Sequence, residues 1–130
     1  MSSMKYWSKI LLAYDGSEYS KKALSEAIRL GEKFNSAVTV LNACWDKSDD
    51  ESRYLLRETE GPLKKAKLKY SLRSERTDNA PKRILDIVQK EGFDCVVLGA
   101  RGVGGARDWL LGSVSTKIAA EAPCTVIISR

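Results

Sequence analysis

The sequence predicts a single α/β domain: an open five-stranded parallel sheet with strand order 3-2-1-4-5 and helices on both faces. Three observations lead there. Short apolar runs alternate with stretches whose apolar residues recur at helical spacing, in the order β-α-β-α-β-α-β-α-β. The runs at 10–14, 93–98 and 124–129 are close to continuous in apolar residues, as strands covered on both faces are. Glycines then cluster where the fourth strand hands over to the last helix. In open sheets of this class, ligands bind in that crevice, beyond the carboxyl ends of the strands.

Each element has its own signal. Residues 10–14 form the first strand, followed by the turn-forming Asp15, Gly16 and Ser17. Ser17 is placed to cap a helix in which Ala23, Leu24, Ala27, Ile28, Gly31 and Phe34 recur at helical spacing. Residues 37–43, rich in Val and Thr, make the second strand, and 46–52 is expected to be a charged loop. Residues 53–70 carry a patchy helical pattern that Gly61 and Pro62 are expected to break or restart. Residues 71–77 give the weakest strand signal. Asp78 or Asn79 caps the next helix, with Pro81 in its first turn, Ile84, Leu85 and Val88 on its apolar face, and Gly92 past its end. Residues 93–98 and 124–129 are the last two strands. Between them an amphipathic helix over 114–122 is closed by Pro123. No internal repeat, low-complexity segment or second domain is apparent across residues 1–130.

Composition narrows the function. With 43% hydrophobic and 30% charged residues, the 130-residue chain is expected to bury one core as a soluble domain. No apolar stretch approaches the ~18–20 residues of a membrane span, and residues 1–9 lack a signal-peptide core. Cys44, Cys95 and Cys124 fall in or beside strands without paired spacing, as reduced buried thiols of a cytoplasmic protein do. There is no histidine. That excludes Ser-His-Asp and Cys-His nucleophiles, His-ligated zinc and a histidine general base. The net charge of +5 raises nucleic acid as a partner. The densest basic cluster, Lys64, Lys65, Lys67 and Lys69, is interleaved with Leu63, Ala66 and Tyr70 on one helical face, so it reads as that helix's solvated side. No nucleic-acid motif accompanies it, and a nucleic-acid partner is not expected. Trp7, Trp45 and Trp109 read as packing or rim residues.

The glycine segment is the most informative stretch. Gly99, Ala100, Arg101 and Gly102 are followed by nine residues and then Gly112 and Ser113. Glycine adopts positive φ at low cost and lets a ligand approach the backbone. Ser113, at the start of the last helix, adds a hydroxyl to free N–H groups and the positive dipole end, which suits phosphate. No Gly-Lys pair of a P-loop is present, and the first strand leads into Tyr14-Asp15-Gly16-Ser17 instead of a G-x-G-x-x-G fingerprint. A flexible connection is the plain alternative. Two features favour an anion cradle. Asp15, just after strand 1, faces the glycine segment across the switch point between neighbouring strands 1 and 4, although it can also serve as a turn and cap residue. Arg101, Arg107 and Ser113 share the same loop.

The spacing Gly-x2-Gly-x9-Gly-Ser formed by Gly99, Gly102, Gly112 and Ser113 resembles that of the nucleotide-binding members of the universal stress protein family. The opening Ile10 through Ser17 and the segment Leu110 through Ser115 resemble it too, and the likeness covers essentially the whole chain. The family implies a Rossmann-like fold and an ATP or other adenine-nucleotide site. On that resemblance Ala13 and Leu98 line the adenine pocket, Asp15 contacts the base or ribose side, and Ala43 offers backbone groups to the adenine edge. Gly99, Arg101 and Gly102 wrap the ribose and first phosphate, and Gly112, Ser113, Val114 and Ser115 hold the phosphates. Mg²⁺ can bridge the phosphates, with Asp15 the loop carboxylate nearest to hand. No dedicated metal site is marked, and Asp108 reads as a solvent-facing charge. Trp109 would shield the phosphates or sit at a subunit contact. The segment 46–77 is shorter than usual for the family, which bears on the outer rim of the site.

Two function classes follow from the resemblance. One is a nucleotide-binding regulatory protein of the stress response. The other is an enzyme of the related nucleotide-binding α-hydrolase superfamily, at most a slow or partner-dependent ATP hydrolase. The Ser-Gly-Gly-x-Asp-Ser loop of ATP pyrophosphatases is replaced here by Ala13-Tyr14-Asp15-Gly16-Ser17, and a His-x-Gly-His signature cannot be supplied. The regulatory reading is therefore preferred, and no catalytic residue is assigned. The last strand, 124–129, lies at a sheet edge with only Arg130 after it, so a homodimer through that strand is expected, and the resemblance implies that it forms by antiparallel addition.

Overall fold

The computed structural model describes residues 7–102 and 111–130. Five parallel strands, β1 (Lys9–Ala13), β2 (Ala37–Cys44), β3 (Tyr70–Arg76), β4 (Cys95–Gly99) and β5 (Thr125–Ser129), form one sheet in the order β3-β2-β1-β4-β5. The helices are α1 (Glu18–Phe34), α2 (Asp49–Arg57), α3 (Glu60–Lys65), α4 (Ala80–Glu91) and α5 (Ser113–Glu121). The predicted class and strand order are those observed. Central β1 explains its own composition: Ile10, Leu11 and Leu12 are fully buried because helices cover both faces. Ile10 and Leu12 pack with Ala23 and Ala27 of α1, Leu56 of α2 and Leu63 of α3. Leu11 packs on the opposite face with Ile84 and Val88 of α4 and Ile118 of α5.

Caps set the helix ends. Ser17 accepts from Ser20 N at 3.1 Å at the start of α1, and Asn35 (φ 55°) closes it in the left-handed region. Asn79, not Asp78, caps α4, and Gly92 (φ 68°) ends it. The segment predicted as a charged loop over 46–52 is corrected, since α2 begins at Asp49. Ser48 and Glu51 form a reciprocal capping box there, with Asp49, Asp50 and Glu51 favourably placed at the positive end of the helix. The helical break also lies elsewhere than Gly61-Pro62. It falls at Glu58 and Thr59, and Pro62 sits in the first turn of α3, where its missing N–H costs nothing. Helices of nine and six residues are marginal alone. Burial of Leu56 and Leu63, worth about 1.5–3 kcal/mol each, docks them. The weak strand signal at 71–77 corresponds to edge strand β3, which pairs with β2 along its whole length.

Candidate functional site

The order of the sheet reverses beside β1: the chain moves outward to β2 and β3, then returns to β4 on the other side. At the carboxyl ends of these strands lies a cleft of about 680 Å³, in the range of small-molecule sites. Ala13, Asp15, Ala43, Leu98, Gly99, Arg101, Gly102, Gly112, Ser113, Val114 and Ser115, scattered over a hundred positions of sequence, all line it. Arg107, Asp108 and Trp109 lie outside the described residues.

One half of the cleft is apolar. Ala13, Leu41, Ala43 and Leu98 come from the sheet face that packs on α4 and α5, and Ile84 of α4 and Val114 of α5 meet them there. The other half is built from Asp15, the glycines and the start of α5. Asp15 closes the turn and also faces the glycine segment. Its Oδ1 accepts from Ser17 N at 2.9 Å, closing the turn into α1, and its Oδ2 lies against Gly102, where an added Cβ would approach to 2.6 Å.

The motif glycines are explained differently from the sequence reading. Among the described residues only Gly16 (φ 83°) and Gly92 have positive-φ glycine backbones. Gly99, Gly102 and Gly112 are needed because of what lies beside them. A Cβ on Gly99 would meet Tyr19 Cβ at 2.6 Å and the Tyr19 carbonyl carbon at 2.7 Å, so this glycine lets α1 rest on the end of β4. A Cβ on Gly112 would come 3.2 Å from Arg101 Cα, pressing on protein backbone. Gly112 N donates to Ala100 O at 2.7 Å, which holds the start of α5 against the segment leaving β4.

The start of α5 supplies the donors. Its first helical hydrogen bond is Thr116 N to Gly112 O (3.0 Å), so the N–H groups of Ser113, Val114 and Ser115 precede it and have no carbonyl within the helix. The Ser113 side chain is exposed at the helix start. The Ser115 hydroxyl is buried and committed, donating to Ala100 O at 2.6 Å with Gly112 O at 3.2 Å. It braces the floor of the cleft, and the hydroxyl is spent on that contact. Arg101 is neither solvent-exposed nor reaching outward: it is buried, with its guanidinium 5.1 Å over the Tyr19 ring and Nη2 donating to the Tyr19 hydroxyl at 2.8 Å.

Sequence reasoning missed the outer wall. Cys44, Trp45, Asp46 and Lys47, leaving β2, and Thr77, Asp78 and Ala80, between β3 and α4, also line the cleft. The available signal was topological: every strand delivers its following loop to this same edge. It also missed Asn42, a buried member of the cleft lining, whose Nδ2 donates to Tyr14 O (2.8 Å) while its Oδ1 accepts from Ser52 Oγ (2.7 Å) and Cys44 Sγ (3.2 Å). This amide ties α2 to the ends of β1 and β2. The buried Tyr14 hydroxyl donates to Glu58. Burial, and then the Glu58 carboxylate, push its pKa far up, so it stays a protonated donor.

Cys44, Cys95 and Cys124 are free thiols, with Cys95 buried and the other two half-buried. Burial raises the pKa of all three, that of Cys95 to about 12, which keeps them as unreactive thiols near neutral pH. Among the described residues no group of three or more Cys, Asp or Glu side chains could hold a metal ion. No described helix is long and apolar enough to cross a membrane.

An open parallel sheet with a glycine-lined cleft where its strand order reverses places the chain in the α/β class whose members bind ligands at the strand ends. The model of the universal stress protein family matches residues 7–130, and the chain belongs to that family. Universal stress protein YxiE of Bacillus subtilis is 27% identical, covering 95% of this chain and 99% of its own length. A universal stress protein of Thermus aquaticus is 30% identical, covering 93% and 97%. Among solved structures, universal stress protein UspA from Lactobacillus plantarum superposes with a TM-score of 0.83 at 19% identity, covering 95% and 98%. Three others of the same fold were solved with a nucleotide: one with cAMP (TM-score 0.75, 20% identity), one from Arabidopsis thaliana with AMP (0.73, 16%) and one from Archaeoglobus fulgidus with dAMP (0.77, 18%).

Proposed function

We propose that the cleft binds an adenine nucleotide, ATP in the first instance, and that the protein acts as a nucleotide-dependent regulatory protein of the stress response. The observation that carries this reading is the convergence of the eleven residues on one cleft, with an apolar half on one side and the open N–H groups of α5 on the other. The apolar half, between Ala13, Ala43 and Leu98, suits a base. Ser113, Val114 and Ser115 offer phosphate three backbone donors at the positive end of a helix. Asp15 stands between the two halves, where a ribose hydroxyl or a phosphate-bound Mg²⁺ would meet it. The relatives solved with cAMP, AMP and dAMP support the adenine assignment.

Binding without fast turnover fits the chemistry of the cleft. Asp15, the carboxylate of the floor, is engaged by the Ser17 N–H, which holds it in the turn into α1. We further propose a homodimer through β5, which stands at the sheet edge with half-buried Val126, Ile127 and Ile128. The deciding experiment is to heat-denature the purified protein and chromatograph what it releases, alongside titration with AMP, ADP and ATP in a calorimeter. Adenine nucleotide in the supernatant and saturable binding are expected. Absence of both at millimolar nucleotide would overturn the reading.

A further inference from the structure

We infer that Trp45 is a ligand-contacting residue of the cleft, stacking its indole on the aromatic ring of the occupant; this rests on the reading of the cleft as a nucleotide site. Trp45 directly follows β2, whose Leu41 and Ala43 supply part of the apolar half, and it carries that wall outward to the mouth. It is 67% exposed, whereas Trp7 packs edge-to-face on Phe34 at 5.2 Å between centroids. Leaving a side chain of this size in water forgoes about 1.5–3 kcal/mol of burial, so its place on the wall of a cavity asks for an occupant.

Among the described lining residues only Tyr14 and Trp45 carry rings. Tyr14 is 3% exposed with its hydroxyl held by Glu58, which among the described residues leaves Trp45 as the ring that can meet a ligand. The small side chains of Ala13, Ala43 and Ala80 leave room beside it for a flat group. The distance is also right. β2 and β4 stand on either side of β1, two strand spacings apart, or about 10 Å. A ligand anchored by phosphate at the start of α5 and extended across the strand ends therefore brings its base, not its ribose, under the indole. Stacking of this kind does not read hydrogen-bonding edges, so Trp45 selects an aromatic base over a bare sugar phosphate without choosing among bases.

The test uses the full chain with AMP and ribose 5-phosphate as probes. With Trp109 replaced by Phe throughout the fluorescence experiment to remove its own response, AMP should quench tryptophan emission and ribose 5-phosphate should not. Trp45→Phe should abolish the AMP-dependent quench. Trp45→Ala should weaken AMP about fivefold or more, the low end of what stacking on an aromatic side chain supplies, and leave ribose 5-phosphate affinity unchanged. Because the indole is mostly in solvent, both variants should keep the parent's urea midpoint. AMP binding as tight in Trp45→Ala as in the parent, or a quench that persists in Trp45→Phe, overturns this inference and leaves the nucleotide site standing. A parent protein that binds no AMP overturns the nucleotide reading and this inference with it.

Discussion

At Gly99 an added methyl group would sit 2.6 Å from Tyr19 Cβ and 2.7 Å from the Tyr19 carbonyl carbon, atoms that cannot yield without moving the start of α1. Gly99→Ala is therefore expected to cost about 1–3 kcal/mol, the usual range for overpacking. This would show as a lower urea midpoint, and an unchanged midpoint would mean that α1 slides freely over β4. Gly102 makes the opposite prediction. It is exposed, and its methyl would press on Asp15 Oδ2, the end of a side chain. Gly102→Ala should leave stability within about 0.5 kcal/mol. If the cleft holds nucleotide as proposed, displacing that carboxylate should weaken AMP by about tenfold, or 1.4 kcal/mol, in the same calorimetric titration. Two glycines of one motif would then separate, one measured by folding and the other by binding.

At the scale of elements, α2 is tied to β2 beside the cleft through Ser52, whose hydroxyl donates to Asn42. Asn42 is 2% exposed and joins Tyr14 O, Ser52 Oγ and Cys44 Sγ. Asn42→Ala would strand the Tyr14 carbonyl and the Ser52 hydroxyl without a partner. The expected loss is about 2–3 kcal/mol, with amide exchange across α2 accelerating more than across α4; uniform acceleration would show that Asn42 does not anchor α2. On the other face, β3 and α4 are joined by charge. Glu75 meets Arg73 Nε at 3.0 Å and Arg83 at 2.9 Å, while Arg73 Nη1 meets Glu91 at 2.6 Å. Burial alone would raise the Glu75 pKa, but the hydrogen bonds from Arg73 and Arg83 outweigh it and hold the carboxyl below the ordinary 4.5. A depressed acid contributes stability that is present above its unfolded value and lost as pH falls through its folded one. Glu75→Gln should lower stability at neutral pH and flatten the loss on acidification below about pH 4.5. Parallel acid profiles for parent and variant would show that the network adds nothing.

For the whole molecule, an edge strand carrying Val126, Ile127 and Ile128 invites pairing with a second copy. Sedimentation should give about twice the 14.4 kDa chain mass. Ile127→Lys, with its circular dichroism unchanged, should return the protein to one chain, since a lysine blunts an edge. A parent that sediments as a single chain at micromolar concentration would overturn the dimer. Turnover of ATP by the isolated protein should fall below about 1 s⁻¹, the low end of ordinary enzyme rates. Steady turnover at or above that rate, abolished by Asp15→Asn, would replace the regulatory reading with an enzymatic one.

The sequence by itself determined what depends on a few neighbouring residues. Apolar runs marked the strands and helical spacing marked α1, α4 and α5. Ser17, either Asp78 or Asn79, and Gly92 marked caps, and the glycine spacing marked the edge where the cleft forms. Even α2 was legible in the Ser48 to Glu51 capping box, although its run of charges read as loop. Tertiary structure alone decided which distant groups meet. Arg101 lies on Tyr19, 82 positions away in the chain. Gly99 is glycine because of α1, the Ser115 hydroxyl braces Ala100 instead of facing a ligand, and the exits of β2 and β3 complete the wall. Periodicity and capping act through backbone hydrogen bonds between near neighbours and so leave a local trace. Close packing acts between surfaces brought together by the whole fold, and its demands on a residue appear only once the neighbour is in place.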